Sequence, residues 1–256
     1  MKQYFPITVI FITVCAALAA CEKNTYKITE RTNPQGKGRV KIGLFSAYTL
    51  TPPVRVSINN VTVSNELVHP ISFPGGGLNM NGSSNSDYLQ LNPGTAKFEF
   101  FVMNPGTHVP ASKMFETTQT VEPDKRYTLY VTDTAQNTTA ILVNDETTAP
   151  DSGMARIKWV NILPNIPVLD LYKGTNASSA VLILANIAYK SSSAYMNVPA
   201  GVDSFFIRQA GSPATSVPVA RRGFSLSNQR LYTILSRGYS GGTGNRAANV
   251  SAIINQ

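Results

Sequence analysis

From Arg39 to Ile254 the chain repeats itself once. Arg39-Val-Lys-Ile42 returns as Arg156-Ile-Lys-Trp159, and Pro53-Val54 as Pro167-Val168. Tyr88-Leu-Gln-Leu-Asn-Pro-Gly94 returns as Tyr195-Met-Asn-Val-Pro-Ala-Gly201, and Arg126-Tyr-Thr128 as Leu231-Tyr-Thr233. The spacing between matched positions falls from 117 to 114, 107 and 105 residues, so the first copy carries about ten extra residues before Tyr88. A period of this size fits a whole domain. It predicts two tandem domains, residues 39–150 and 151–256, meeting in the polar stretch Asp145–Gly153.

Within each copy the apolar residues come in short runs rich in Val, Ile, Thr, Tyr and Phe, punctuated by Gly, Pro, Asn and Asp. The first copy offers Arg39–Phe45, Val54–Ile58, Tyr88–Leu91, Lys97–Met103, Phe115–Val121, Tyr127–Thr132 and Ala140–Asn144. The second offers Ala155–Asn161, Val168–Tyr172, Val181–Ile187, Tyr195–Val198, Ser204–Arg208, Val217–Leu226, Leu231–Ser236 and Ala248–Ile254. No sustained 3.6-residue stripe interrupts them, although Val181–Tyr189 is ambiguous. Many short strands at this spacing predict an all-β chain of sandwiches or barrels. Gly94 and Gly201 each precede an alternating strand and are expected to turn the chain at positive φ.

These residues carry a resemblance. Ala155-Arg-Ile-Lys-Trp-Val-Asn161, Pro164, Asp170 before Tyr172, Tyr195 through Pro199-Ala-Gly201, and Tyr232-Thr233 resemble the bacterial extracytoplasmic family called domain of unknown function 4397. The second copy follows the pattern along most of its length. The first departs from it, with Leu44 at the place of Asn161 and Val56 at that of Asp170. The resemblance implies tandem immunoglobulin-like or transthyretin-like sandwiches on exported lipoproteins, and no enzymatic activity.

The N-terminus reads as an address. Lys2, the apolar run Ile7–Ala19 and the ending Leu18-Ala-Ala-Cys21 have the form of a signal peptide over residues 1–20 closed by a bacterial lipobox. Cys21 is then the lipid-attachment residue, and residues 21–38 are a lipidated flexible tether. With Cys15 in the signal peptide and Cys21 acylated, the mature chain has no thiol for catalysis, a disulfide or metal binding. Several acyl chains anchor stably, at about 0.8 kcal/mol per buried CH₂. The expected location is the bacterial cell envelope, at the outer membrane.

Motifs for chemistry are sparse. Only His69 and His108 are present, outside any HExxH or ligand spacing, and there is no Gly-x-Ser-x-Gly elbow, Walker A motif or calcium loop. No cofactor, metal or catalytic residue is assigned. Charge gives the main lead. Seven basic and nine acidic residues lie in 38–150, against ten basic and two acidic in 152–256, so the formal net charge of +8 belongs to the second copy. Arg221, Arg222, Arg230, Arg237 and Arg246 are candidate polyanion-binding residues there. The insertion Phe73–Asp87 is a second lead, with Phe73, Asn79 and Asn81 as candidate loop contacts. Asp133-Thr134-Ala135 resembles an O-glycosylation acceptor centred on Thr134.

The sequence therefore predicts a membrane-anchored lipoprotein with a non-enzymatic binding or structural role. Its candidate partners are the membrane through Cys21, a surface glycan, an anionic polymer or another envelope protein, with no specific nucleic-acid partner. A periplasmic or surface hydrolase using an Asp/His site, and a subunit of an envelope complex, are the alternatives.

Overall fold

A computed structural model describes residues 35–45, 53–79 and 86–256. Gln35–Gln256 belong to one compact unit. Its first nine strands are β1 (Gly38–Leu44), β2 (Val54–Ile58), β3 (Val61–Thr62), β4 (Ile71–Phe73), β5 (Leu89–Leu91), β6 (Gly94–Met103), β7 (Pro110–Val121), β8 (Arg126–Thr132) and β9 (Thr139–Asp145). The next nine are β10 (Met154–Asn161), β11 (Val168–Gly174), β12 (Val181–Ala188), β13 (Ser191–Ser192), β14 (Met196–Pro199), β15 (Gly201–Gln209), β16 (Ala220–Leu226), β17 (Leu231–Arg237) and β18 (Asn249–Ile254). All fifteen expected runs are strands. The three unforeseen ones, β3, β4 and β13, are two or three residues long, too short for any periodicity.

Four sheets result. In the first half β4-β1-β8-β9, with β5 also on β1, faces β3-β2-β6-β7. In the second half β13-β10-β17-β18, with β14 also on β10, faces β12-β11-β15-β16. The second half follows the first strand for strand. Its registers match too: Val40 lies opposite Tyr127 and Ile157 opposite Tyr232, each in a parallel pair. Gly94 and Gly201, at φ +116° and +139°, open β6 and β15 as expected.

One match is corrected. Val56 pairs with Phe100 and Leu171 with Ile207, and Phe100 and Ile207 are the corresponding core residues. The counterpart of Val56 is therefore Leu171, and that of Asp170 is Arg55. The Pro-Val alignment was one residue out of step, which in a strand moves every side chain to the opposite face. Asp170 does cap loops as its type suggests: it accepts from Asn186 N at 2.8 Å, and more distantly from Gly211 N at 3.4 Å.

Each sandwich has its own core. Val40, Phe98, Phe100 and Leu129 anchor the first, and Trp159, Phe205, Tyr232 and Ile234 the second. Each such burial contributes roughly 1.5–3 kcal/mol. A third cluster joins them: Phe45, Tyr130 and Val143 of the first half pack on Val160, Ile162, Leu235 and Ile253 of the second. The outward faces of the β1 and β10 sheets thus cover one another. That is why all seven residues of β17 are buried instead of alternating.

The insertion after β4 serves this junction. Leu78 bridges Ile253, and Gly77 O accepts from Ile254 N at 3.1 Å. Asn79 N donates to Ala252 O at 2.7 Å, while Asn79 Oδ1 accepts from Ala252 N at 3.1 Å. The segment straps the open edge of β18, meeting backbone groups that would otherwise invite another strand.

Candidate functional site

The centre of the junction is polar. Lys158 of β10 reaches Asp145 at the end of β9 at 2.6 Å, with side chains 2% and 0% exposed. Asp145 Oδ2 also accepts from Thr128 Oγ1 at 2.6 Å and Tyr88 OH at 3.1 Å, and Lys158 Nζ donates to Asn144 O at 2.6 Å. The second half repeats the motif with an amide: Thr233 Oγ1 meets Asn255 Oδ1 at 2.8 Å. Lys41, the counterpart of Lys158, therefore has no carboxylate of its own. Its Nζ donates to Pro74 O at 3.1 Å and lies 5.4 Å from the Tyr88 ring centre. Burial pushes the Lys41 amine down to about 8, against the opposing pull of Asp87 and Asp145. Burial likewise pushes Lys158 down, with Asp145 opposing, and pushes the Tyr88 and Tyr195 hydroxyls up. Because the Lys158 and Asp145 charges meet across the junction, this pair ties the two halves together.

At the rim the junction opens into two hollows. One, of about 370 Å³, is lined by Pro123–Arg126 and Asn144–Thr148. The other, of about 200 Å³, is lined by Arg39, Ser86, Asp87, Tyr88, Gln90 and Arg126. Arg126 stands between them with its guanidinium 5.8 Å from the Tyr88 ring centre. Across the junction Arg156 lies 5.7 Å from the Tyr195 ring centre and is ion-paired to Glu146 at 3.0 Å. This rim gathers the guanidinium, carboxamide, hydroxyl and carboxylate groups that recognise polyols and oxyanions.

The arginines singled out from the sequence do not form one patch. Arg221 and Arg222 are neighbours on β16 and point to opposite faces. Arg230 and Arg237 flank opposite ends of β17, roughly 20 Å apart at the strand rise of about 3.3 Å per residue. Arg237 is buried, donates to Ser251 Oγ at 2.7 Å, and is pushed down to about 10, first by burial and then by Arg222. It belongs to the junction and not to a binding surface. Arg246 is exposed in a short 3₁₀ turn. Phe73 lies in β4 and packs on the first core, and Asn79 is committed to the strap. Thr134 is half-buried at the start of the 3₁₀ turn Ala135–Asn137. Cys21 and Asn81 lie outside the described residues.

His69 is buried in the junction with Nε2 on Asn245 O at 3.1 Å, and His108 is exposed beside Glu66 at 2.8 Å. Among the described residues no group of three His, Cys, Asp or Glu side chains could hold a metal, and no helix is long and apolar enough to cross a membrane. The rim residues Arg39, Gln90 and Arg126 are not among the candidates the sequence offers, where Arg39 and Arg156 serve only to mark the repeat. The signal available was the run of polar residues alternating with core positions at Arg39, Gln90 and Arg126.

Fold and junction together define an all-β double sandwich with a polar seam. The family model for the domain of unknown function DUF4397 matches residues 40–172, from β1 into β11, and the chain belongs to that family. The match rests on the first half and two strands of the second, although the motif residues were read mainly from the second. No curated protein matches the sequence.

Among solved structures, a leucine-rich repeat protein from Bacteroides thetaiotaomicron is 17% identical with a TM-score of 0.22, over 77% of this chain and 26% of that one. The Bacillus anthracis TIE protein is 12% identical with a TM-score of 0.25, over 80% and 34%. A structure of alpha-glucan recognition by family 41 carbohydrate-binding modules from streptococcal virulence factors is 10% identical with a TM-score of 0.26, over 83% and 96%. The chain thus spans about a quarter and a third of the first two.

Proposed function

We propose that this protein is a lipid-anchored binding protein of the bacterial envelope, without catalytic activity, whose junction rim receives a glycan or polyanion. The observation that carries the reading is the pair of polar hollows that share Arg126. They offer a sugar's hydroxyls both donors and acceptors on a rigid support, since both lie where the buried Lys158–Asp145 centre holds the sandwiches together. A panel of immobilised neutral and acidic polysaccharides tests it. Saturable retention of the full chain on at least one supports the reading, and retention on none refutes it.

The ending Leu18-Ala-Ala-Cys21 supports the anchor. Labelled fatty acid should enter the wild-type chain and not Cys21→Ala, and incorporation into the variant would exclude Cys21. A second reading, a subunit of an envelope complex, is favoured by β12. This edge strand carries no charged residue, and Val181 and Leu182 are 67% and 45% exposed. Co-purification of a partner that Val181→Lys abolishes would support it.

A further inference from the structure

We infer that Arg39 and Arg126 form a clamp for the carboxylate of an acidic sugar. The inference rests on the glycan reading above and specifies its ligand. The two residues are directly opposite on the parallel strands β1 and β8, so their side chains leave the same face, with strand axes about 4.8 Å apart. Both are half-buried and both line the 200 Å³ hollow, with Gln90 opposite Arg39 on the third strand. Like charges placed directly opposite are unfavourable unless something lies between them.

Among the described residues neither arginine has an acidic partner within 4 Å, and the Arg126 guanidinium lies 5.8 Å from the Tyr88 ring centre. Asp145 is in register with Arg126, but its oxygens are taken by Lys158, Thr128 and Tyr88. Asp87 lines the hollow and partly offsets its charge, and two guanidinium groups still leave the hollow positive.

The second half provides the comparison. Arg156 occupies the place of Arg39 on the matched strand, stacks on the matched tyrosine, and is ion-paired to Glu146 at 3.0 Å. The partner position of Arg126 is Leu231 there, so no second guanidinium is present. The arginine of the second half is thus answered by Glu146, which lies just past β9 at the end of the first half. The first half doubles the arginine and lines the hollow with Asp87 without ion-pairing it to either guanidinium. A uronate fits the gap: its planar carboxylate takes paired guanidinium donors, and its ring hydroxyls reach Gln90 and Ser86.

Isothermal titration of the full chain with polygalacturonate, hyaluronan, dextran sulfate and neutral dextran tests this. Wild type should prefer the two carboxylated polymers. Arg39→Gln and Arg126→Gln should each weaken that binding roughly tenfold or more. Arg221→Gln should not alter it, and the melting temperatures of all variants should stay near wild type. Carboxylate binding unchanged in both variants overturns the clamp. Equal binding of dextran sulfate overturns its restriction to carboxylates. Binding of neutral dextran alone overturns the clamp while the glycan reading stands, and binding of none of the polymers overturns both.

Discussion

Asp145→Asn isolates the charge at the centre of the junction. The amide keeps the shape of the side chain and can still accept from Thr128 and Tyr88, as Asn255 does from Thr233 in the second half. What it removes is the negative charge 2.6 Å from Lys158 Nζ, which is 2% exposed. Leaving one member of a buried pair uncompensated costs roughly 3–5 kcal/mol. In a unit of this size each kcal/mol moves the melting temperature by about 2–4 °C, so the loss is roughly 6–20 °C. Burial already pushes the Lys158 amine down. In the variant it sheds its proton more readily still, so the deficit should shrink as pH rises toward ~10, the ordinary lysine range. Replacing both residues, Asp145→Asn with Lys158→Met, should recover most of the loss. Differential scanning calorimetry at pH 7 and pH 10 reads both effects. A pH 7 loss under ~1 kcal/mol, or a loss that the second substitution does not recover, would refute the reasoning.

Three further outcomes are expected. Lys41 is pushed down to about 8 in the folded chain from an unfolded value of 10.5. Between these values the unfolded state binds more protons, so stability should rise with pH by up to roughly 3 kcal/mol relative to Lys41→Met, as followed by urea melts from pH 7 to 10. His69 is pushed down to about 4 from 6.5, first by burial. Its neutral form is what the fold holds, so stability present above pH 6.5 should be lost as pH falls through 4. The same melts should show a shallower acid slope in His69→Gln. Asn79→Ala removes the acceptor for Ala252 N and should cost about 1–3 kcal/mol. Faster amide exchange at Ala252 is the accompanying sign, and unchanged exchange there would remove the strap's role.

The strands were legible because the repeat marks them twice. Arg39/Arg156 and Tyr127/Tyr232 hold the same register in both halves, at the spacings the sequence shows. The Pro-Val match went astray by one residue because Pro53 and Pro167 precede strands that differ in length before the core begins. The junction was not legible. Lys41, Lys158 and Tyr88 alternate with core residues as any exposed strand position does, and only packing against a second sheet buries them. The arginines of the second half looked like a surface because charge counts carry no depth, and Arg237 shows the difference. The insertion looked like a free loop because a lone β-bridge through Leu78 leaves no periodic trace.

The most direct test of the account is a ¹H–¹⁵N titration of the full chain with a short oligogalacturonate. The shifts should gather at Arg39, Gln90 and Arg126 and along Lys125–Arg126 beside Glu146, on both sides of the shared arginine. Shifts confined to Arg221, Arg222 and Arg246, or spread evenly over the surface, would contradict a binding site at the junction rim.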